Sequence, residues 1–161
     1  MEHIVWAKIF ERLPWPLIRD DKLIGDERCA LARTRPDACW LLEDRVLHLE
    51  VDEHSHDDRE IACELKKLDS ANWGIADGKF AHLPTWTVRF NPSEYDRRRV
   101  TLTERCDALV EHLLDLLRAP LDGWCTLRTN VTFMYYHSKA GRHIEAARAA
   151  TESVVVQRIV E

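Results

Sequence analysis

A mixed β-sheet flanked by helices, in the α/β class and more narrowly α+β, is the fold this sequence predicts. Helix-like and strand-like periodicities follow one another in the order α-β-β-α-β-α-β, the pattern of a sheet with helices packed on it. At 161 residues, 45% apolar and 32% charged, the chain is long enough to bury one core and too apolar to be disordered. No internal repeat and no linker-like stretch divides it. Residues 1–161 therefore read as a single domain with its core over about residues 35–136.

Residues 2–13 place Ile4, Val5, Ala7, Ile9, Phe10 and Leu13 at helical spacing, and Pro14 and Pro16 end that helix. Residues 17–34 are mixed and read as a loop or short strand. Residues 37–42 and 45–52 read as two strands. Over 57–69 a helix is expected, with Ile61, Leu65 and Leu68 on its buried stripe and Ser55 or Asp57 at its start. Residues 70–84 hold two Gly and a Pro and read as a loop. "TWTVRF", 85–90, is a β-branched and aromatic strand that Asn91–Pro92 ends. Residues 101–118 form the clearest helix, with Leu102, Leu109, Leu113, Leu116 and Leu117 near one face. "NVTFMYY", 130–136, is a further strand, and the tail reads as a helix followed by an ambiguous apolar run.

Composition narrows the function classes. A net charge of −5 argues against a simple nucleic-acid coat, but not against an enzyme with one local basic patch. Five cysteines are spread along the chain without a CxxC, which disfavours zinc ribbons and redox motifs. Reduced thiols in an intracellular compartment, cytoplasmic or nuclear, are the expectation. No apolar run reaches 18 residues, so no membrane partner is expected. "MEHIVWAKIF" carries acid and His where an export signal needs positive charge. The six Trp are expected to pack in the core.

The densest chemistry is "LHLEVDEHSHDD", 47–58, and the strand before it. Glu43 and Asp44 separate two apolar runs. A turn centred there sets one register: Leu41 opposite Val46, Cys39 opposite His48, Asp37 opposite Glu50. Period two then puts Asp37, Cys39, Leu41, Val46, His48, Glu50 and Asp52 on one face. Ala38, Trp40, Leu42, Leu47, Leu49 and Val51 form the other, a core face, with Arg45 at the turn end. Facing carboxylates repel. They persist where a cation lies between them or one takes a proton. All-oxygen ligands suit Mg²⁺ or Mn²⁺, ions that activate water and stabilise a phosphodiester transition state.

Pro36–Asp37 followed by Glu50-Val51-Asp52 resembles the signature of the PD-(D/E)xK nuclease superfamily, in which an acid on one strand precedes acid-x-Lys on the next. Asp52 stands where that family carries Lys. "LEVDEHSH" is similar to a variant branch, the very-short-patch-repair-like and EDxHD homing endonucleases, where Asp replaces the Lys and a nearby His takes part. "RPD", "LEVDEHSH", "CEL" and "VRFNP" together also resemble a set of small proteins of large DNA viruses and algae. The resemblance spans about residues 35–92. It implies a restriction-endonuclease-like core and a metal-dependent DNA endonuclease using Mg²⁺ or Mn²⁺. It also implies duplex or branched DNA as partner, and a homodimer where both strands are cut. On it, Asp37, Glu50 and Asp52 would be metal ligands, or Asp52 would orient water. His56 would be general base, or acid at the leaving oxygen. Glu64 would orient His56 or a water.

Arg89 and Asn91 at a strand end, Arg97 and Arg98 in "RRR", and Arg35 before the first acid are candidate nucleic-acid contacts. Each residue also has a plainer reading. Asp37 and Glu50 could line a solvated hairpin face at a sheet edge, and Asp52 could cap a strand. His56 could be a surface His at a helix start, and Glu64 could pair with Lys67. Asn91–Pro92 could only make the turn while Arg89 pairs with an acid, and "RRR" could be a solvated charge run. His48, facing Cys39, reads as a satisfied, partly buried His rather than a zinc ligand. Three functions are thus in view. The first is a metal-dependent DNA endonuclease. The second is a catalytically inactive nuclease-fold module that binds nucleic acid or protein. The third, inseparable from the first by sequence, is a hydrolase of single strands or RNA.

Overall fold

The computed structural model describes residues 2–13, 37–53, 83–93, 100–120, 129–136, 144–145 and 154–155. Helix α1, Glu2–Arg12, closes its last turn with the Leu13 N–H donating to the Ile9 carbonyl at 2.9 Å. Its buried side chains are Val5, Trp6, Ile9 and Leu13, one helical stripe. Ile4 and Phe10, expected in that stripe, lie outside it and are exposed.

Strands β1, Ala38–Leu41, and β2, Val46–Val51, form the expected antiparallel hairpin. The Leu42 N–H donates to the Arg45 carbonyl at 3.0 Å, so Glu43 and Asp44 are the two-residue loop. Leu41 pairs with Val46 and Cys39 with His48, the register read from the sequence. Strand β3, Thr85–Phe90, and strand β4, Thr129–Met134, follow β2 in parallel, and the two-residue β5, Val154–Val155, pairs parallel to β4. The sheet is mixed, in the order β1-β2-β3-β4-β5, and with its helices it is an α+β architecture.

Helix α2, Leu102–Arg118, is begun by a reciprocal cap: Thr101 accepts the Glu104 N–H and the Glu104 carboxylate accepts the Thr101 N–H. Leu109, Leu113, Leu116 and Leu117 are buried as the spacing predicts, and Cys106, Val110 and Leu114 widen the face. That face and α1 cover one side of the sheet, where Ala38, Trp40, Leu47, Leu49, Val88, Phe90 and Met134 lie. Lys8 and Arg12 pair with Asp107 across the two helices, and Arg12 also with Glu111.

The opposite side, here the far face, holds Cys39 and Val46 in one apolar cluster and Val131 and Phe133 in another. Its middle is buried, while Asp37 and Glu50 toward the carboxyl end are half-buried. β2 lies between β1 and β3, and His48, Thr87 and Arg89 on the far face are all buried. The helix expected over 57–69, the segment 17–34 and the tail helix lie outside the described residues. Among the described residues no helix is long and apolar enough to cross a membrane. Of the six Trp, Trp6 and Trp40 are buried and Trp86 is partly buried against the same core.

Candidate functional site

Parallel pairing aligns the carboxyl ends of three strands. Val51, Phe90 and Met134 stand side by side in the ladder. Because β1 runs the other way, its start lies at this same edge, and so does Asp37. Ligands of open α/β sheets bind beyond the carboxyl ends of the parallel strands. Asp37, Glu50, Asp52, Arg89 and Asn91, all singled out from the sequence, therefore gather at one edge of one sheet.

Asp37 accepts the Val51 N–H through Oδ2 at 2.7 Å, which continues the hairpin past Ala38 and fixes the carboxylate between Glu50 and Asp52 in sequence. Glu50, half-buried, is the register partner of Arg89. The Asp52 N–H donates to the Phe90 carbonyl at 2.7 Å, extending the parallel ladder by one residue. Its side chain is fully inside. Oδ2 accepts from Arg89 Nε at 2.6 Å and from the Tyr136 hydroxyl. The Arg89 guanidinium also lies over the ring of Phe133, its register partner on β4, 5.8 Å from the centroid. The charge of Asp52 is thus met by a guanidinium on the neighbouring strand.

Asn91 closes the edge from the β3 side. Its N–H donates to the Met134 carbonyl at 3.1 Å and its Nδ2 to the Tyr135 carbonyl at 2.9 Å. Its Oδ1 accepts the Ser93 N–H at 3.0 Å, a side-chain turn that ends the strand. Arg105 reaches over from α2 and donates to the carbonyls of Asn91, Pro92 and Ser93, with its guanidinium 5.8 Å from the Tyr135 ring centroid. Asn91 is buried and so is Arg89. Turn-making and acid-pairing are the roles their geometry displays.

His56, Glu64, Arg35, Arg97 and Arg98 lie outside the described residues. Two residues that contribute to this edge, Tyr136 and Arg105, were missed by sequence reading. Tyr136 follows a strand whose carboxyl end is at the edge, the one signal that could have marked it. Among the described residues, no group of three or more His, Cys, Asp or Glu side chains is arranged to hold a metal ion.

His48 departs from expectation. It is 1% exposed, and neither ring nitrogen has a hydrogen-bond partner among the described residues. Burial in this apolar surrounding pushes its pKa down to about 4. Its register neighbour Thr87 is also buried with an unpartnered hydroxyl. Cys39 and Cys106 are buried cysteines outside any disulfide, and burial raises the pKa of Cys106.

Compared with known proteins, the chain matches no family model, no curated protein and no solved structure. The functional reading therefore rests on the chain's own residues.

Proposed function

We propose that this chain is a metal-dependent endonuclease that hydrolyses phosphodiester bonds in DNA. The observation that carries this reading is the gathering of Asp37, Glu50 and Asp52 at the carboxyl edge of the parallel strands, on the hairpin register read from the sequence. Their order along the chain, acid on one strand and acid-x-acid on the next, is the pattern that resembles the PD-(D/E)xK nucleases.

The donor chemistry at this edge fits a hard divalent cation in part. Asp37 and Glu50 supply carboxylate oxygens, the ligand type of Mg²⁺ and Mn²⁺. Asp52 fits less well as a ligand, because Arg89 and Tyr136 both occupy its Oδ2. Asp37 and Glu50, the acids that face each other in the hairpin register, are the residues that would hold the ion. When bound, Mg²⁺ or Mn²⁺ would stabilise charge on the phosphodiester in its transition state and promote attack by water. The Val51 N–H orients the Asp37 carboxylate. Asp52 and Arg89 lock the ends of β2 and β3 together, and Glu50 stands in that ladder opposite Arg89. His56 is proposed to move the proton, as base toward water or as acid toward the leaving oxygen.

The Asp52–Arg89 pair also favours a second reading. A carboxylate already neutralised by a guanidinium is what a nuclease-fold module without cleavage would keep for stability, leaving nucleic-acid or protein binding as its function.

A nicking assay on supercoiled plasmid with Mg²⁺ or Mn²⁺ separates the two. Wild type is expected to nick, and Glu50→Ala and Asp37→Ala to lose cleavage while remaining folded. Thermal melting with Mn²⁺ should show a stabilisation that vanishes in Glu50→Ala. Absence of metal-dependent cleavage on duplex, branched and single-stranded substrates alike would sink the enzyme reading and leave the binding module.

A further inference from the structure

Just past the end of β4 the alternation of faces breaks at one residue. Val131 and Phe133 lie on the far face and Met134 on the helix face. Strict period two would send Tyr135 to the far face and Tyr136 toward the helices. The reverse is found. Tyr135 packs in the helix-side core, edge-on to Phe90 with centroids 6.0 Å apart. Tyr136 packs edge-on to Phe133 on the far face, at 5.1 Å.

The cause is a single backbone angle. Tyr135 has φ 60°, and it is the one non-glycine residue with positive φ among the described residues. A bulky L-residue enters this left-handed region at a steric cost, and only when its surroundings over-determine it. Here the Asn91 Nδ2 donates to its carbonyl, the Arg105 guanidinium lies over its ring, and Phe90 packs against it. The product of the reversal is a tyrosine hydroxyl delivered across the sheet to Asp52, beside Arg89.

We propose that Tyr136 is a positioning residue of the candidate site. By donating to Asp52 it holds the Asp52–Arg89 pair, and with it the carboxyl end of β2. Glu50 stands at that end, and Asp37 is hydrogen-bonded to the Val51 N–H there. The left-handed backbone of Tyr135 is the device that places it. The inference rests on the hydrolytic reading of this edge, and its own contribution is the residue that sets the edge's geometry without touching substrate. Partners that orient a metal ligand typically cost 10–100-fold in metal affinity or activity when removed, and Tyr136 acts on the strand end that carries the ligands.

The test uses the full chain, supercoiled plasmid and Mn²⁺. Tyr136→Phe keeps the ring against Phe133 and removes only the hydroxyl. Its turnover should fall roughly 10–100-fold, with KM for plasmid and the Mn²⁺-induced melting shift retained. Two further variants isolate the backbone. Tyr135→Gly and Tyr135→Val both delete the aromatic ring, but only glycine accepts positive φ without penalty, and a β-branched residue there is an outlier. Tyr135→Gly should lose less turnover than Tyr135→Val, whose loss should match that of Tyr136→Phe or exceed it at temperatures where all are folded. Wild-type turnover in Tyr136→Phe, or equal losses in the two Tyr135 variants, would overturn the positioning role while leaving the nuclease reading intact. A wild type that cleaves no substrate with either metal overturns the nuclease reading, and the positioning role falls with it.

Discussion

The hairpin of β1 and β2 has an arginine–aspartate pair at each end, and the two pairs differ in what surrounds them. At the turn, Arg45 grips Asp44 through two bonds of 2.8 Å and also donates to the carbonyls of Leu116 and Ala119. It therefore caps the C-terminus of α2, where positive charge is favourable. The Asp44 side chain is 41% exposed, so water can replace either partner. At the carboxyl edge, Arg89 and Asp52 are 5% and 1% exposed, and the third member is a tyrosine hydroxyl rather than a helix end. A pair so buried costs desolvation that its attraction only offsets. One pair joins a turn to a helix and has obvious structural use. The other costs more to keep and sits where ligands bind in sheets of this kind.

The largest expected effect breaks the buried pair. Asp52→Ala leaves the Arg89 guanidinium inside without its carboxylate, and urea unfolding should show a loss of about 3–5 kcal/mol. A loss under about 1 kcal/mol would mean that water reaches Arg89, and that the edge is open in solution rather than closed as described.

Between the two ends lies His48, and it gives the next effect. Its folded pKa of about 4 is below the ordinary value near 6.5, so the unfolded chain takes up the proton first. Its contribution to stability is present above about pH 6.5 and is lost as pH falls toward about 4, by roughly 3 kcal/mol. His112, whose pKa burial also lowers against a smaller opposing effect of Asp115, adds in the same direction. Chemical unfolding at a series of pH values should show this decline in wild type and a much flatter profile in His48→Leu. Equal slopes in the two proteins would show that His48 is hydrogen-bonded or hydrated in solution.

These contrasts also mark what sequence could convey. The hairpin was legible because two local signals agree: Glu43–Asp44 interrupts two apolar runs, and period two sorts Trp40, Leu47 and Leu49 from Cys39, His48 and Glu50. That agreement set the register, and the register gathered the acids. The partner of Arg89 was not legible. It depends on β2 and β3 lying parallel and adjacent, a long-range fact that no local pattern encodes. The alternation in β2 read His48 as partly buried and satisfied, yet β2 is interior and His48 is fully buried on its polar side. Tyr136 was hidden for a different reason. Positive φ is usually announced by Gly or Asn, and Tyr135 announces nothing. Strict alternation would have placed Tyr136 on the wrong face.

The turn-end pair gives the smallest effect and sharpens the comparison most cleanly. Hydrogen bonding to Arg45 lowers the pKa of Asp44 first, with the Arg45 charge adding to it and partial burial opposing. A lowered folded pKa means that its contribution is present above the ordinary carboxylate range and is lost only as pH falls below it. Because the carboxylate is exposed, screening by water keeps that contribution small. Asp44→Ala should cost no more than about 1 kcal/mol near neutral pH, and nothing once the carboxylate is protonated. Arg45→Met should cost more, about 1–2 kcal/mol, since it also strips donors from the Leu116 and Ala119 carbonyls at the helix end. The ordering Asp52→Ala, then Arg45→Met, then Asp44→Ala in one set of urea titrations is the check. If Asp44→Ala cost as much as Asp52→Ala, burial would not be what separates the two ends. The carboxyl edge would then lose the physical distinction that separates it from the turn end.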